Sequence, residues 1–371
     1  TLYALFLAFL LPWLGRRYGS LTALVTGIFL LLSPQLFAFS QFVATDMPVA
    51  IFVVLGTVAF YRGLFRGKWI AFFVCFALGF LSKQQGLFFV IPLIPLGWWI
   101  STRNPQVKIP NPFRFLFFWA LVSGLLIVLL WPWLWHMPLT KLFQYLYFSS
   151  FPRSSGLYFN QIYCSIDVMD VRNTIRYAFP WHYPFIMILI TTPIPVLLMM
   201  IAGSVKIVAE KARDEFALML FLEALFFIGL VALQGGAHII RYHLTGVLAL
   251  TVLAGIGFGS CLEAGKRLLE RIPALQARIP VRASAAVLVL VVTIPTLVGW
   301  VSVFPHGSAF YNSIIGGPKG APLYGFESSF WTTMLNRPFC EYLNKNAPQN
   351  SRVLLMEMTG SLSVYQQINQ L

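Results

Sequence analysis

Long apolar runs recur along the whole chain and constrain its fold more than any other feature. Runs of roughly 18 or more apolar residues follow one another, with short polar breaks between them. Backbone polar groups inside a bilayer must find hydrogen-bond partners within their own segment, so such runs are expected to be helices. The alternation of apolar and polar residues that a membrane β-barrel requires is missing. The chain is therefore predicted to be an all-α polytopic membrane protein.

About ten transmembrane helices are predicted in a domain that covers residues 1–303. They fall near residues 2–14, 20–33, 48–61, 69–82, 86–100, 115–134, 184–205, 216–233, 244–262 and 284–303. The domain includes a loop domain at residues 135–183, in which short amphipathic helices are expected to lie on the membrane surface. Residues 304–371 follow as an incomplete segment. Their loop, helix, turn and strand pattern, with a strand beginning near Arg352, predicts the start of a small α/β extension.

Basic residues are concentrated in alternate loops, which predicts the orientation of the chain. Only 10% of residues are charged, yet the formal net charge is +14. The basic loops contain Arg16 and Arg17; Arg62, Arg66 and Lys68; Arg103, Lys108 and Arg114; Lys206, Lys211 and Arg213; and Lys266, Arg267, Arg271, Arg278 and Arg282. The positive-inside rule assigns these loops to the cytoplasm, and membrane lipids explain the charge better than nucleic acid does. The loop at 135–183 and the segment after residue 303 are then non-cytoplasmic.

Asp46 is the first acidic residue of the chain and lies in the stretch Thr45-Asp46-Met47-Pro48, between two predicted spans. Two compatible interpretations remain open. Asp46 caps the following helix, as an Asp shortly before a Pro commonly does. Alternatively it is a functional acid, since an ionisable group near the membrane is costly to desolvate.

Two cations on the same predicted face are candidates for holding a phosphate. Lys83, in the polar break Ser82-Lys83-Gln84-Gln85-Gly86, either extends its ammonium to the interface or binds a phosphate. Arg241, followed by Tyr242, either anchors to lipid headgroups or makes a bidentate phosphate contact. Glu223, a buried acid in an apolar run, is expected to pair with a basic residue of the bundle.

The loop domain supplies further polar candidates, among them Arg153, His182 and Tyr183. His182 is either a base, a ligand or a structural hydrogen-bonding residue. The aromatic run from Trp131 to Trp135 is typical of a helix anchor at the membrane interface. No spacing of His, Asp and Glu resembles a metal motif, and the cysteines form no CxxC pair, so neither a metal site nor a redox site is predicted.

Four groups of short motifs occur in a fixed order along the chain. They are Ser33-Pro34 with residues 40–48; Gly79-Phe-Leu-Ser-Lys83 with Gly86 and Pro92; residues 131–138 with 158–161 and 180–193; and residues 304–306 with Tyr311-Asn312, Gly316-Gly-Pro318 and Trp331. Together they resemble the membrane glycosyltransferases of the GT-C class. The chain is most similar to the dolichyl-phosphate-mannose protein mannosyltransferase-like family, which also includes bacterial lipid A aminoarabinose transferases.

This resemblance implies an inverting transfer of a sugar from a polyprenyl-phosphate donor to a protein, lipid or glycan acceptor on the non-cytoplasmic face. The lipid-linked donor is a substrate, and no cofactor is implied. Lys83 and Arg241 would stabilise the leaving phosphate, Asp46 would be a supporting acid, and Arg153, His182, Tyr183 and Tyr242 would contact substrates. The plasma membrane of a bacterium or archaeon is the expected location, ahead of the endoplasmic reticulum.

Two departures from the family pattern accompany the resemblance. The family's main catalytic acid lies in an early external loop, which is expected upstream of Thr1, and Gln41 stands where many members have Arg. The rival functions are a lipid-linked sugar flippase or transporter, and a non-catalytic membrane scaffold. A transporter is expected to show interrupted spans in repeated halves, and no such repeat is visible in the sequence.

Overall fold

The computed structural model describes residues 1–41, 44–107, 110–149, 155–164, 175–176, 179–234, 240–271, 280–327, 341 and 344–348. The helices are α1 Leu2–Tyr18, α2 Ser20–Leu32, α3 Pro34–Gln41, α4 Asp46–Arg66, α5 Ile70–Ser82, α6 Val90–Arg103, α7 Pro112–Leu130, α8 Pro138–Ser149, α9 Tyr183–Thr191, α10 Ile194–Ala209, α11 Glu215–Gln234, α12 Leu244–Arg271, α13 Val281–Val303 and α14 Gly317–Gly320. The strands are β1 Ser155–Tyr158, β2 Gln161–Cys164 and β3 Ile175–Arg176. Short 3₁₀ helices include Gln84–Leu87, Pro132–Trp135 and Ile240–His243.

Every predicted span overlaps a helix, but fewer of these helices have the dimensions of a complete membrane crossing. In the described residues, six segments are long and apolar enough, and one of them joins the 3₁₀ helix Gln84–Leu87 to α6. The six are Asp46–Arg66, Gln84–Arg103, Pro112–Leu130, Glu215–Leu233, Leu244–Arg271 and Ala283–Val303. The pair α2 and α3, bent by 65° at Ser33, adds a seventh if it is counted as one span. Helices α5 and α10 are apolar but shorter than the roughly 20 residues that a bilayer requires. The all-α polytopic class is confirmed, whereas the predicted number of about ten spans is not.

Proline, glycine and short polar side chains set the ends of several helices. Pro34 begins α3 directly after the bend, where its missing N–H costs nothing. The Asn111 side chain accepts hydrogen bonds from two backbone N–H groups at the start of α7. Gly67, at φ 66°, ends α4 in the left-handed conformation, and its N–H donates to the Gly63 carbonyl.

Helix α12 is the central element of the bundle, and small residues bring its neighbours close. A Cβ on Gly257 would lie 2.2 Å from the Met199 carbonyl oxygen of α10, and one on Gly203 of α10 would lie 2.5 Å from the Leu253 carbonyl oxygen of α12. Small residues allow the two backbones to approach closely. In lipid the hydrophobic effect does not drive helices together, so this close packing stabilises their association. Helices α7 and α13 lie at the periphery and expose most of their apolar side chains, with α7 packed mainly on α5 and α13 mainly on α10 and α2.

The loop domain contains a helix and a small sheet. Helix α8 lies where short surface helices were predicted, its position on a membrane stays a prediction, and the sheet was not predicted. Strands β1 and β2 pair antiparallel, and β2 pairs parallel with β3. The described part of the segment after residue 303 contains only short helices, and the predicted strand near Arg352 lies outside the described residues.

Candidate functional site

Asp46 and Lys83 form an ion pair between the start of α4 and the end of α5. Lys83 Nζ donates to Asp46 Oδ1 at 2.5 Å, and their side chains are only 21% and 6% exposed. Thr45, not Asp46, is the N-cap residue of α4, and Asp46 lies in the first turn, where the helix dipole favours a negative charge. The carboxylate of Asp46 thus binds an ammonium across two helices, and the predicted capping role is replaced by this contact.

Tyr242 completes a three-residue cluster around the Lys83 ammonium. The 3₁₀ helix Ile240–His243 precedes α12 and brings the Tyr242 ring under Lys83, with 4.2 Å between Nζ and the ring centroid. A cation over the face of an aromatic ring is held electrostatically without losing its N–H donors. We call Asp46, Lys83 and Tyr242 the ammonium cluster, and all three residues were predicted as site residues.

A close backbone contact fixes Lys83 at this point. Gly86 packs on the last turn of α5, where a Cβ would lie 2.2 Å from the carbonyl carbon of Gly79. The Gly86 N–H donates to the Lys83 carbonyl at 2.8 Å, and the Lys83 N–H donates to the Gly79 carbonyl at 3.1 Å. The two glycines therefore hold the chain in a tight reversal that directs the lysine toward α4.

A cavity of about 360 Å³ lies beside the ammonium cluster and is mostly apolar. Its lining includes Leu2 of α1, Thr45 and Ile51 at the start of α4, Ser40 of α3 and Ser82 of α5. The starts of α1 and α4 and the ends of α3 and α5 therefore meet at one end of the bundle, which we call the Asp46 end. A cavity with apolar walls and a few hydroxyl groups suits a ligand that has both a hydrocarbon part and a polar part.

A second group of predicted residues lies around Tyr158 in the loop domain. The Tyr158 ring centroid lies 4.9 Å from that of Tyr183 and 6.0 Å from that of His182. The Tyr158 hydroxyl is buried without a hydrogen-bond partner in the described structure, and burial raises the pKa of Tyr158 to about 12. His182 and Tyr183, which are adjacent in the sequence, thus both lie against Tyr158 in an aromatic cluster, and their substrate-binding role stays a prediction.

His243 connects the two groups and was not among the predicted site residues. It follows Tyr242 directly, and its ring centroid lies 6.0 Å from that of Tyr183. The side chain is fully buried, and neither ring nitrogen has a hydrogen-bond partner among the described residues. Burial lowers the pKa of His243 to about 3, so the imidazole is neutral. A buried polar group left unpaired costs stability and is a sign of function; in the sequence, the position beside Tyr242 was the only available hint.

The segment after α13 contacts the bundle at two breaks, the one between α9 and α10 and the bend between α2 and α3. The Asn312 amide donates to the carbonyls of Leu189 at 2.7 Å and Thr192 at 2.9 Å, which closes the break between α9 and α10. A Cβ on Gly307 would lie 2.3 Å from the Pro34 carbonyl oxygen at the bend between α2 and α3. These contacts fasten the segment after α13 onto the bundle, and the positional role of Asn312 was not visible in the sequence.

Some predicted residues cannot be placed. Arg153 lies outside the described residues. Arg241 lies in the 3₁₀ helix beside Tyr242, but its side chain is outside the described part of the structure.

Glu223, expected to pair with a cation, is buried and has no hydrogen-bond partner in the described structure. No group of three His, Cys, Asp or Glu residues that could hold a metal ion occurs among the described residues.

The helices that carry Asp46 and Lys83 lie in a region with a recognisable family signature. Residues 2–136 match the family model of dolichyl-phosphate-mannose-protein mannosyltransferases. The match confirms the predicted mannosyltransferase-like, GT-C-type character for this region and supports glycosyltransferase activity. No curated protein and no solved structure gives a significant match.

The mannosyltransferase-like region contains only part of the site. Asp46 and Lys83 lie within it, and so do the glycines that position Lys83. Tyr242, His243 and the aromatic cluster around Tyr158 lie beyond residue 136 and reach the ammonium cluster only through the fold. Together the family match and the apolar helices are consistent with a multi-pass membrane glycosyltransferase.

Proposed function

We propose that the protein transfers a sugar from a polyprenyl-phosphate-linked donor to a protein, lipid or glycan acceptor at the Asp46 end of the bundle. The observation that carries the proposal is the ammonium cluster, in which a partly buried lysine is held between a carboxylate and an aromatic ring. The family match over residues 2–136, which includes both Asp46 and Lys83, supports the same reaction class.

Lys83 is proposed to stabilise the phosphate that leaves the sugar. Its ammonium has three N–H donors, of which Asp46 Oδ1 engages one, while the Tyr242 ring covers one side. Negative charge develops on the leaving phosphate in the transition state, and a fixed donor in a partly dry site stabilises that charge by a few kcal/mol. Arg241 is proposed as a second phosphate contact because the 3₁₀ helix places its backbone beside Tyr242.

Asp46 is proposed to position Lys83, and a direct role as the base that activates the acceptor is disfavoured. Its Oδ1 already accepts from the ammonium at 2.5 Å, and the side chain is only 6% exposed. An acceptor hydroxyl would have to displace that contact to reach the same oxygen. The inverting course, the absence of a metal and the absence of a cofactor beyond the donor are parts of the proposal that follow from the family resemblance.

The donor is proposed to enter sideways from the membrane through the cavity beside α1 and α4. Leu2 and Ile51 give this cavity an apolar wall for the polyprenyl chain, and Ser40 and Ser82 add hydroxyl groups. The acceptor would approach from the loop domain, where His182, Tyr183 and Arg153 are proposed contacts. Arginines cluster at the opposite end of α4, which supports a non-cytoplasmic position for the Asp46 end.

The deciding experiment follows a labelled polyprenyl-phosphate sugar with the protein reconstituted in vesicles. Release of free polyprenyl phosphate, with label moved to an acceptor, is the expected result. Movement of intact donor across the bilayer without release would identify a flippase. If neither release nor movement occurs, the scaffold function is the one that remains. A Lys83→Gln variant is expected to turn over about 100-fold more slowly, whereas Arg114→Gln, which removes a cation far from the site, is expected to retain activity.

A further inference from the structure

A second cavity lies at the opposite end of α1 and α4 from the ammonium cluster. Helix α4 runs from Asp46 to Arg66 and has 21 residues, so its two ends are about 30 Å apart. That distance is close to the hydrocarbon thickness of a bilayer. The cavity has a volume of about 690 Å³ and is lined by Arg16 and Arg17 of α1 and by Arg62 and Arg66 of α4. We call it the arginine pocket.

One of the four guanidinium groups is held by the protein itself. Arg17 donates to Asp214 Oδ1 at 3.2 Å and to the Tyr61 hydroxyl at 2.5 Å, and Tyr18 donates to the same carboxylate oxygen at 2.8 Å. Asp214 also accepts a hydrogen bond from the backbone N–H of Ala217 in the first turn of α11. These contacts connect α1 and α4 with the start of α11 along one wall of the arginine pocket.

The other three arginines of the pocket are not neutralised. Arg16, Arg62 and Arg66 are exposed and make no ion pair or hydrogen bond with a side chain in the part of the chain that the structure describes. Three like charges around one cavity repel one another and favour a bound anion. Guanidinium groups bind phosphate through paired N–H donors, so phosphate is the anion that this arrangement suits best.

Apolar side chains of α1 also line the arginine pocket. Ala8, Phe9, Pro12 and Trp13 of α1 line it beside the arginines. Leu5 and Phe9 are 58% and 69% exposed, and they lie on the same side of α1 as Arg16 at helical spacing. A free phosphate ion would make no use of these side chains, whereas the acyl chains of a phospholipid would cover them.

We propose that the arginine pocket binds the phosphate of an anionic phospholipid from the leaflet at this end of the bundle, with the acyl chains along α1. Basic pockets between membrane helices attract anionic headgroups, at roughly 1 kcal/mol for each Arg near the surface. The site is separate from the ammonium cluster and does not depend on the proposed transfer reaction. Its occupant would fasten α1 to α4 and so stabilise the bundle from the far side.

The test compares lipid-dependent stability in detergent micelles for the unmodified protein and two double variants. Phosphatidylglycerol is titrated against phosphatidylcholine, and inorganic phosphate alone forms a third arm. Arg62→Gln/Arg66→Gln removes two pocket charges, and Arg114→Gln/Arg271→Gln removes two charges elsewhere on the basic surface. Phosphatidylglycerol is expected to raise the unfolding midpoint of the unmodified protein and the control, with an apparent affinity about thirtyfold weaker in the pocket variant.

Three results would overturn the proposal. Phosphatidylglycerol and phosphatidylcholine could act equally on the unmodified protein, which would mean that no anionic lipid is preferred. An equal loss in both double variants would mean attraction to the whole basic surface, without a pocket. Full protection by inorganic phosphate alone would mean a free-anion site. If the double pocket variant fails to fold, Arg66→Gln alone gives the same comparison with a smaller expected loss.

Discussion

Lys83 Nζ lies 2.5 Å from Asp46 Oδ1, although the two residues are 37 positions apart in the chain. The pair joins the first turn of α4 to the residue after α5, and both residues lie in the family-matched region. A carboxylate in a helix's first turn and an ammonium in an extended residue after another helix are each only partly stabilised by local structure. Their contact joins two polar stretches, each of which lies between apolar segments in the sequence, into one site.

The strength of this contact can be measured with a double-mutant cycle of Asp46→Asn and Lys83→Gln. We expect a coupling free energy of about 2 kcal/mol for unfolding in detergent, because the pair is largely shielded from water. The matched control is Glu263 and Arg267, an ion pair of 4.0 Å with side chains 66% and 76% exposed. Its coupling should stay below about 0.5 kcal/mol. Equal coupling in the two cycles would contradict the special role given to Lys83.

The ring of Tyr242 should matter more to Lys83 than its hydroxyl does. Tyr242→Phe keeps an aromatic face under the ammonium, whereas Tyr242→Leu removes it. We expect the Leu variant to bind the lipid-linked donor about tenfold more weakly than the Phe variant, as the loss of a partly desolvated cation–π contact predicts. Binding is measured with a non-transferable donor analogue. Equal affinities of the Leu and Phe variants would rule out the ring as a functional contact.

Gly86→Ala is expected to disturb Lys83 without touching it. A methyl group at this position would overlap the Gly79 backbone, so the reversal after α5 must open, at about 1–3 kcal/mol of unfolding free energy. Transfer activity should fall in the same variant. Gly124→Ala is the control, because a Cβ there meets nothing within 4 Å. That variant should be at least as stable as the unmodified protein, since Ala favours helix over Gly.

Asn312→Ala should loosen the segment after α13. The substitution leaves the carbonyls of Leu189 and Thr192 without their donor in a buried place, at a cost of about 2 kcal/mol or more. Thermal unfolding and limited proteolysis after α13 would both report the change. Gln41→Ala serves for comparison, because that exposed amide donates only to the neighbouring Ser40 in the described structure. A midpoint no lower than that of Gln41→Ala would show that Asn312 does not fasten the segment.

His243→Phe should separate stability from activity. The imidazole is buried and unpaired, so an apolar ring of similar shape removes a desolvation cost and should raise stability by about 1 kcal/mol. If His243 serves substrate binding between the ammonium cluster and Tyr183, turnover or donor affinity must fall in the same variant. A more stable protein with full activity would leave His243 with no functional role.

The transmembrane helices were readable from sequence because hydrocarbon enforces local hydrogen bonding in every spanning segment. The number of complete membrane crossings could not be predicted from the sequence, because α5 and α10 are apolar yet short. Hydropathy alone does not show where a helix ends or bends. The small sheet of the loop domain was missed for a related reason. Its strands are four residues or fewer, and their pairing depends on partners and not on a strong local pattern.

The sequence by itself determined the class of the fold, the clustering of basic residues in alternate loops and the candidate status of Asp46, Lys83 and Tyr242. These follow from local properties: apolar length, loop composition and the cost of placing charge near a membrane. Only the tertiary structure decided that Lys83 binds Asp46 and lies over the Tyr242 ring, that His243 lies against Tyr183 without a hydrogen-bond partner among the described residues, and that four arginines line one cavity. Contacts between residues far apart in the chain arise from helix packing, which local patterns do not encode.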